Sequence, residues 1–323
     1  MPHHPDDVLS LVADVGGTNT RVALANGTEL LADTVRKYRN ADYAGLETVL
    51  RTYIEDEGGV DCASAAVAVA GPVREGRGEL TNLDWSFDND TLGRATQAEH
   101  VAILNDLQAQ GFAAGLIAPE NLRTVIAGPD AAPTATKMVI GVGTGFNIAM
   151  VYETPGGRVV PPSEAGHANI PLRTDEQLRL LRFIESAHGF PEVEDVLSGR
   201  GLEHVYAWRR EEAGQPGEKR AADIMETCEN GTDPIAEETV ELLVKKLVTL
   251  AGNLALIQLP FGGIFLIGGV ARAVTPYFER YGFAESFRDK GRFSGFMKNF
   301  AVHVIEDDFA ALNGLANHLA TNR

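Results

Sequence analysis

Residues 14–19, Asp-Val-Gly-Gly-Thr-Asn, put a carboxylate and small polar residues between two apolar runs, 9–13 and 20–25. The glycines let backbone N–H groups approach an oxyanion, and Thr18 and Asn19 add side-chain donors, so such a tip can cradle a phosphate. Asp14 can hold Mg²⁺ through water, because that ion keeps most of its hydration shell and needs few carboxylates. A plain hairpin turn would use the same glycines. The pattern returns about 127 residues later as Gly141-Val142-Gly143-Thr144-Gly145, with Gly141 where the first copy has Asp14. Two copies, only one of them acidic, favour a pair of phosphate turns in related domains over two ordinary hairpins.

Three further clusters carry reactive groups. Asn105-Asp106 stands where the apolar run 100–104 gives way to a helical pattern. The pair suits a helix cap, and equally a carboxylate at a strand end, where α/β folds bind ligands; position alone leaves both open. Glu164 and His167 are three apart, but a metal site would need two or three further ligands of matching type. Pro161, Pro162 and Gly166 predict a loop there. In it the two side chains form either a surface ion pair or an acceptor and donor for vicinal hydroxyls. Glu194 lies between Glu192 and Asp195 and reads as the solvated first turn of a helix.

These groups need elements to hold them. Residues 9–14 and 20–25 read as strands, and Leu46, Val49, Leu50, Tyr53 and Ile54 have helical spacing that stops at Gly58. Residues 62–73 return as a buried strand ended by Gly71-Pro72. A second round opens with strand, Gly-Thr-Gly turn and strand over 136–153. The uncharged stretch 247–271 is cut by Pro260, Gly262 and Gly263, and predicts a buried helix ending near Leu259 and then a short strand, not a membrane span. Residues 265–270 read as strand, glycine pair and helix start. Strands alternating with helices predict an α/β fold.

The bulk numbers bound the rest. A chain of 323 residues, 44% hydrophobic and 23% charged, is globular and long enough for two domains. A formal charge of −17 without a basic run argues against nucleic-acid binding. Two cysteines, Cys62 and Cys228, make neither a zinc cluster nor a disulfide framework, which predicts a reducing, cytoplasmic setting. Residues 1–7 lack the pattern of a secretory leader, so no membrane partner is expected.

Together DVGGTNTR (14–21), GVGTG (141–145) and FLIGGV (265–270) resemble the two phosphate motifs and the adenosine motif of the actin–hexokinase–sugar kinase superfamily. TNLDW (81–85), LND (104–106), SEAGH (163–167), EDVLSGRGL (194–202), GNLAL (252–256) and DKGRF (289–293) are similar to the bacterial ATP-dependent glucokinases. The resemblance runs over nearly the whole chain. It implies a two-domain actin-like (ribonuclease H-like) α/β ATPase fold, with duplicated mixed sheets flanked by helices and a central cleft that closes on sugar. The small domain is expected over 1–107, rejoined by a C-terminal helix within 310–323, and the large domain over 108–309.

The same resemblance implies roles. Asp106 matches the base that accepts the proton of the sugar 6-hydroxyl, and Asn105, Glu164, His167 and Glu194 match the sugar ligands. Asp14, Gly16, Gly17, Thr18 and Asn19 match the first phosphate motif, with Mg²⁺ near Asp14. Thr144 and Gly145 match the second phosphate motif, and Gly268 and Gly269 the adenosine loop. ATP and Mg²⁺, glucose as substrate and a homodimer follow as expectations. Rivals are a kinase for mannose or an amino sugar, and a non-catalytic sugar sensor. Two departures bear on affinity: Phe146-Asn147 follows Gly145 where the family continues Leu-Gly, and Ala165 replaces the first of two glycines before the loop histidine.

Overall fold

The computed structural model describes residues 9–80 and 83–321. Thr81 and Asn82 of the TNLDW motif, residues 1–7 and the last two residues of the expected C-terminal segment lie outside the described residues. The chain forms two compact units, one from the described residues of Met1–Ile117, Val151–Pro162 and Asp307–Arg323, the other from Ala118–Met150 and Ser163–Glu306.

In the first unit, the parallel strands Leu9–Val15, Ser64–Val69 and His100–Asn105 lie side by side, with Ser64–Val69 in the middle. Asn19–Asn26 turns back antiparallel to Leu9–Val15 and carries the short strands Glu29–Leu30 and Arg36–Arg39. The sheet is buried on both faces, as its nearly unbroken apolar strands require. Leu46, Val49, Leu50 and Tyr53, on the predicted helix Leu46–Asp56, pack against Leu11, Val67 and Val69 on one face. The other face is made of small residues, Val12, Ala23, Ala25, Ala66 and Ala68, and takes Leu312, Leu315 and Ala316 of the C-terminal helix Ala310–Thr321.

This packing draws helix Asp106–Ala113 into the first unit, although the expected boundary fell at residue 107. The helix crosses Ala310–Thr321 at Gly314, where any Cβ would overlap the backbone of Ala109. Asn317 donates to Phe112 O (2.9 Å), and Arg158 donates to Phe112 O (2.6 Å) and Ala114 O (3.0 Å) at the helix end. Two carbonyls that a helix C-terminus leaves without intrahelical partners are thus satisfied by a guanidinium from Val151–Pro162, which joins the same unit.

The second unit holds strands in the order Leu122–Ile126, Val302–Ile305, Ile264–Ile267, Lys137–Val142 and Phe146–Thr154; the last passes into the first unit at Val151. Helix Pro234–Gln258 buries Val240, Leu243, Val244, Leu247, Val248 and Ala251 in its core. Asp233 caps its start by accepting from Ile235 and Ala236 N–H groups, and Leu259 ends it at φ 49° before Pro260. Charged residues in its first half and the stop at Leu259 agree with the sequence reading. No helix among the described residues is long and apolar enough to cross a membrane.

Candidate active site

In the first unit, the predicted phosphate turn joins strands Leu9–Val15 and Asn19–Asn26, with Gly16 N donating to Asn19 O (3.0 Å). Asn40 holds the turn from beneath: its Nδ2 donates to Gly16 O (2.7 Å), its Oδ1 accepts from Thr20 Oγ1 (2.8 Å), and its own N–H reaches Thr18 O (2.9 Å). Asn40 and Thr20 are buried, so each polar atom needs such a partner. No motif marked Asn40, and its distance in sequence from the turn hid it.

Asp14 closes the first strand, with a quarter of its side chain exposed and Arg21 Nη1 3.8 Å away. Burial raises the Asp14 carboxyl above its usual range, and Arg21 pulls it partly back. At 3.8 Å the guanidinium pairs by charge without a hydrogen bond. A desolvated hard-oxygen donor of this kind fits Mg²⁺. Among the described residues, no group of three or more His, Cys, Asp or Glu forms a metal cage.

Asn105 and Asp106 lie at the same carboxyl-end edge of this sheet as Asp14, because Asp14 pairs with Ala68, and Asn105 with Val69, across the central strand. The cap is Asn105, not Asp106. Asn105 Oδ1 accepts from Leu107 N (3.0 Å), its N–H donates to Gln108 Oε1 (3.1 Å), and its Nδ2 donates to Gly71 O (3.0 Å). Oδ1 also accepts from the Gln108 N–H to complete a capping box, which leaves one amide hydrogen of Asn105 beyond these bonds. Asp106 begins the helix and accepts Leu107 N on Oδ1 (2.7 Å), which fixes its carboxylate plane.

In the second unit the other predicted residues converge on Glu194. The turn between Lys137–Val142 and Phe146–Thr154 is closed by Gly143 N to Gly145 O (2.9 Å). Phe146 N donates to Glu194 Oε2 (2.9 Å), and a Cβ on Gly145 would overlap that carboxylate. Glu194 N donates to Gly166 O (3.0 Å), which ties the same residue to the Glu164–His167 loop. The first-turn reading of Glu194 does not hold. Helix Gly199–Glu212 starts after it, and Glu194 sits in the preceding turns with its side chain 19% exposed.

The loop itself is a short 3-10 turn, Ala165–His167. His167 Nδ1 lies 2.7 Å from Glu192 Oε2, and Nε2 lies 3.9 Å from Glu164 Oε2. Glu192 above all, then Glu194 and Glu164, raises the imidazole pKa above its usual value against a partial burial that lowers it. The Phe146-Asn147 departure finds a reason here. The Phe146 side chain fills the core, while Asn147 donates to Ser163 O and accepts from Ala165 N (3.0 Å), so it supports the Glu164–His167 loop. Gly268 closes the group: at φ 108° a Cβ on it would overlap the Val142 backbone, a place where only glycine fits, and it caps helix Gly269–Val274.

The sequence pattern of the Glucokinase family matches residues 11–322. A relative named Glucokinase from Sinorhizobium fredii is 32% identical over 98% of this chain and 94% of its own. Among solved structures, a glucokinase from an Antarctic psychrotroph superposes with a TM-score of 0.84 and 29% identity, covering 97% of this chain and 98% of its own. A ROK family glucokinase from Streptomyces griseus, solved in complex with glucose and AMPPNP, shares the fold at a TM-score of 0.62 and 18% identity, over 97% and 98% of the two chains. Across nearly its whole length, then, this chain belongs to the glucokinase family.

Proposed function

We propose that the chain transfers the γ-phosphoryl group of ATP to the 6-hydroxyl of glucose through the residues described above. The observation that carries this reading is the junction at Glu194. One carboxylate is bonded to the Gly143–Gly145 turn through Phe146 N, and its backbone is bonded to the Glu164–His167 loop.

In this reading Asp106 accepts the proton of the attacking hydroxyl. In a loose phosphoryl-transfer transition state that proton leaves late, so an ordinary carboxylate serves and most of the acceleration comes from positioning and charge neutralisation. Asn105 offers its remaining N–H to the sugar, and Glu164 and Glu194 accept from hydroxyls. His167 donates from Nε2 while Glu192 holds Nδ1. Gly16 closes the first turn, amides of Gly17, Thr18 and Asn19, and of Thr144 and Gly145, would donate to phosphate oxygens, and Gly268-Gly269 would bring backbone close to the adenosine. Mg²⁺, held near Asp14 through water, would supply positive charge to the phosphates.

The test is coupled production of glucose 6-phosphate from ATP, Mg²⁺ and glucose by the wild type and Asp106→Asn. The variant should lose about 10²- to 10⁴-fold in kcat and keep its glucose affinity. Activity that survives the substitution would remove Asp106 as the base. A higher kcat/KM for mannose or an amino sugar than for glucose would replace the substrate.

A further inference from the structure

One cation beside the Glu194 junction has no part in the reading so far. Arg200 is the second residue of helix Gly199–Glu212, and its Nη2 donates to Glu194 Oε1 at 2.9 Å. With Oε2 held by Phe146 N, both oxygens of Glu194 are then fixed, one by the hairpin and one by the guanidinium. The origin of the Arg200 arm is fixed as well. Ser198 caps the helix by accepting from Gly201 N (2.9 Å) and donates back to Glu194 O (2.7 Å), and Gly199 N donates to Gly143 O (2.9 Å).

The two partners differ in freedom. The Arg200 side chain is 67% exposed and that of Glu194 only 19%. A pair with both members exposed contributes little, because two long side chains must be ordered in high dielectric. Here one member is already ordered by the backbone, so the hydrogen bond mainly sets the carboxylate orientation. Charge points the same way. Glu164, Glu192 and Glu194 all act on His167, and Arg200 is the cation bonded to one of these three carboxylates.

We infer that Arg200 is a positioning residue for the sugar. It holds Glu194 in the rotamer whose free Oε1 lone pair accepts a glucose hydroxyl, and it offsets the negative charge gathered there. The inference rests on Glu194 being a sugar ligand, and it separates Arg200 from the nucleotide. Although its helix begins against the Gly143 turn, its guanidinium is committed to the carboxylate. Removing it should therefore weaken glucose and leave ATP untouched.

Steady-state kinetics with glucose and ATP varied in turn, together with glucose binding by calorimetry without nucleotide, tests this on wild type, Arg200→Ala, Arg200→Lys, Glu194→Gln and the Arg200→Ala/Glu194→Gln double variant. Arg200→Ala should raise the KM and Kd for glucose about five- to tenfold, with kcat and the KM for ATP within about twofold of wild type. Arg200→Lys should recover at least about half of the lost affinity, since it keeps the charge and one donor but loses the planar fork. In the double variant the Arg200 effect should nearly vanish, because its partner is gone. A glucose KM unchanged in Arg200→Ala, or a rise confined to ATP, overturns the inference. If Glu194→Gln weakens glucose while Arg200→Ala does not, only the role of Arg200 falls. If Glu194→Gln also binds glucose as wild type does, the sugar role of Glu194 falls with it.

Discussion

The two glycine-threonine hairpins share a sequence pattern but not a support. The first is held by Asn40, a buried neutral amide that bonds Gly16 O, Thr18 O and Thr20 Oγ1. The second is held by Glu194, itself a candidate sugar ligand. A neutral amide can fix a turn without disturbing the field around a phosphate, and it leaves Asp14 to set the local charge. A carboxylate fixing a turn makes that turn sensitive to whatever else the carboxylate binds. The first hairpin is thus an independent clasp, and the second is coupled to the sugar loop.

Substitutions can break this contrast from both sides. The largest effect is expected at the acid that only the first hairpin carries. Asp14→Ala should lower kcat by about 100-fold with glucose affinity retained, read by steady-state kinetics over a Mg²⁺ titration. Equal loss of glucose affinity would show that the first clasp is not independent. Next comes a matched pair of added methyl groups. A Cβ at Gly16 comes no closer than 3.4 Å to Asn19 O, whereas one at Gly145 must displace the Glu194 carboxylate. Gly145→Ala should raise the Kd for glucose about tenfold, equivalent to about 1.4 kcal/mol, and Gly16→Ala should leave it unchanged by calorimetry.

A smaller, purely structural effect is expected at Asn40. Asn40→Ala strands the Thr20 hydroxyl and Gly16 carbonyl and should cost about 1–3 kcal/mol in denaturant unfolding, with glucose affinity unchanged. Loss of glucose affinity would couple the first hairpin to sugar after all.

The smallest effect concerns protons. The folded pKa of His167 lies above its usual 6.5, chiefly through Glu192. A raised imidazole pKa stabilises the fold fully below about pH 6.5 and loses that contribution as pH climbs through the folded value. Glu192→Gln should move the His167 titration, followed by its ring-proton NMR shift, to lower pH. The pH at which glucose binding weakens should move down with it. A ring titration that does not move would assign the raised value to another carboxylate.

Much of the molecule could be read along the chain because it depends on neighbours in sequence. The strand–turn–strand of each hairpin, helix Leu46–Asp56 and the stop at Leu259 are set by local apolar period, turn glycines and proline, whereas the C-terminal helix followed from the family resemblance. The candidate site residues were picked out by motif and by family resemblance. Their local chemistry was read less well. The Asn105-Asp106 pair suited a cap without saying which residue forms it, and the structure gives it to Asn105; Glu194 precedes its helix by several residues. Both points concern which atom meets which amide, which propensities do not resolve.

By itself the sequence determined the α/β class, the duplicated hairpins with their single acid, and the residues that mark the family. It did so because each depends on residue type at short spacing. Only the tertiary structure decided which side chains support those residues. Asn40 under the first turn, Asn147 under the sugar loop, Glu192 on His167 and Arg200 on Glu194 all reach partners through space. It also decided that helix Asp106–Ala113 packs with the C-terminal helix, where Gly314 gives way to Ala109. Such contacts follow from satisfying buried polar groups and filling space between distant segments, and neither condition is written at any single position of the chain.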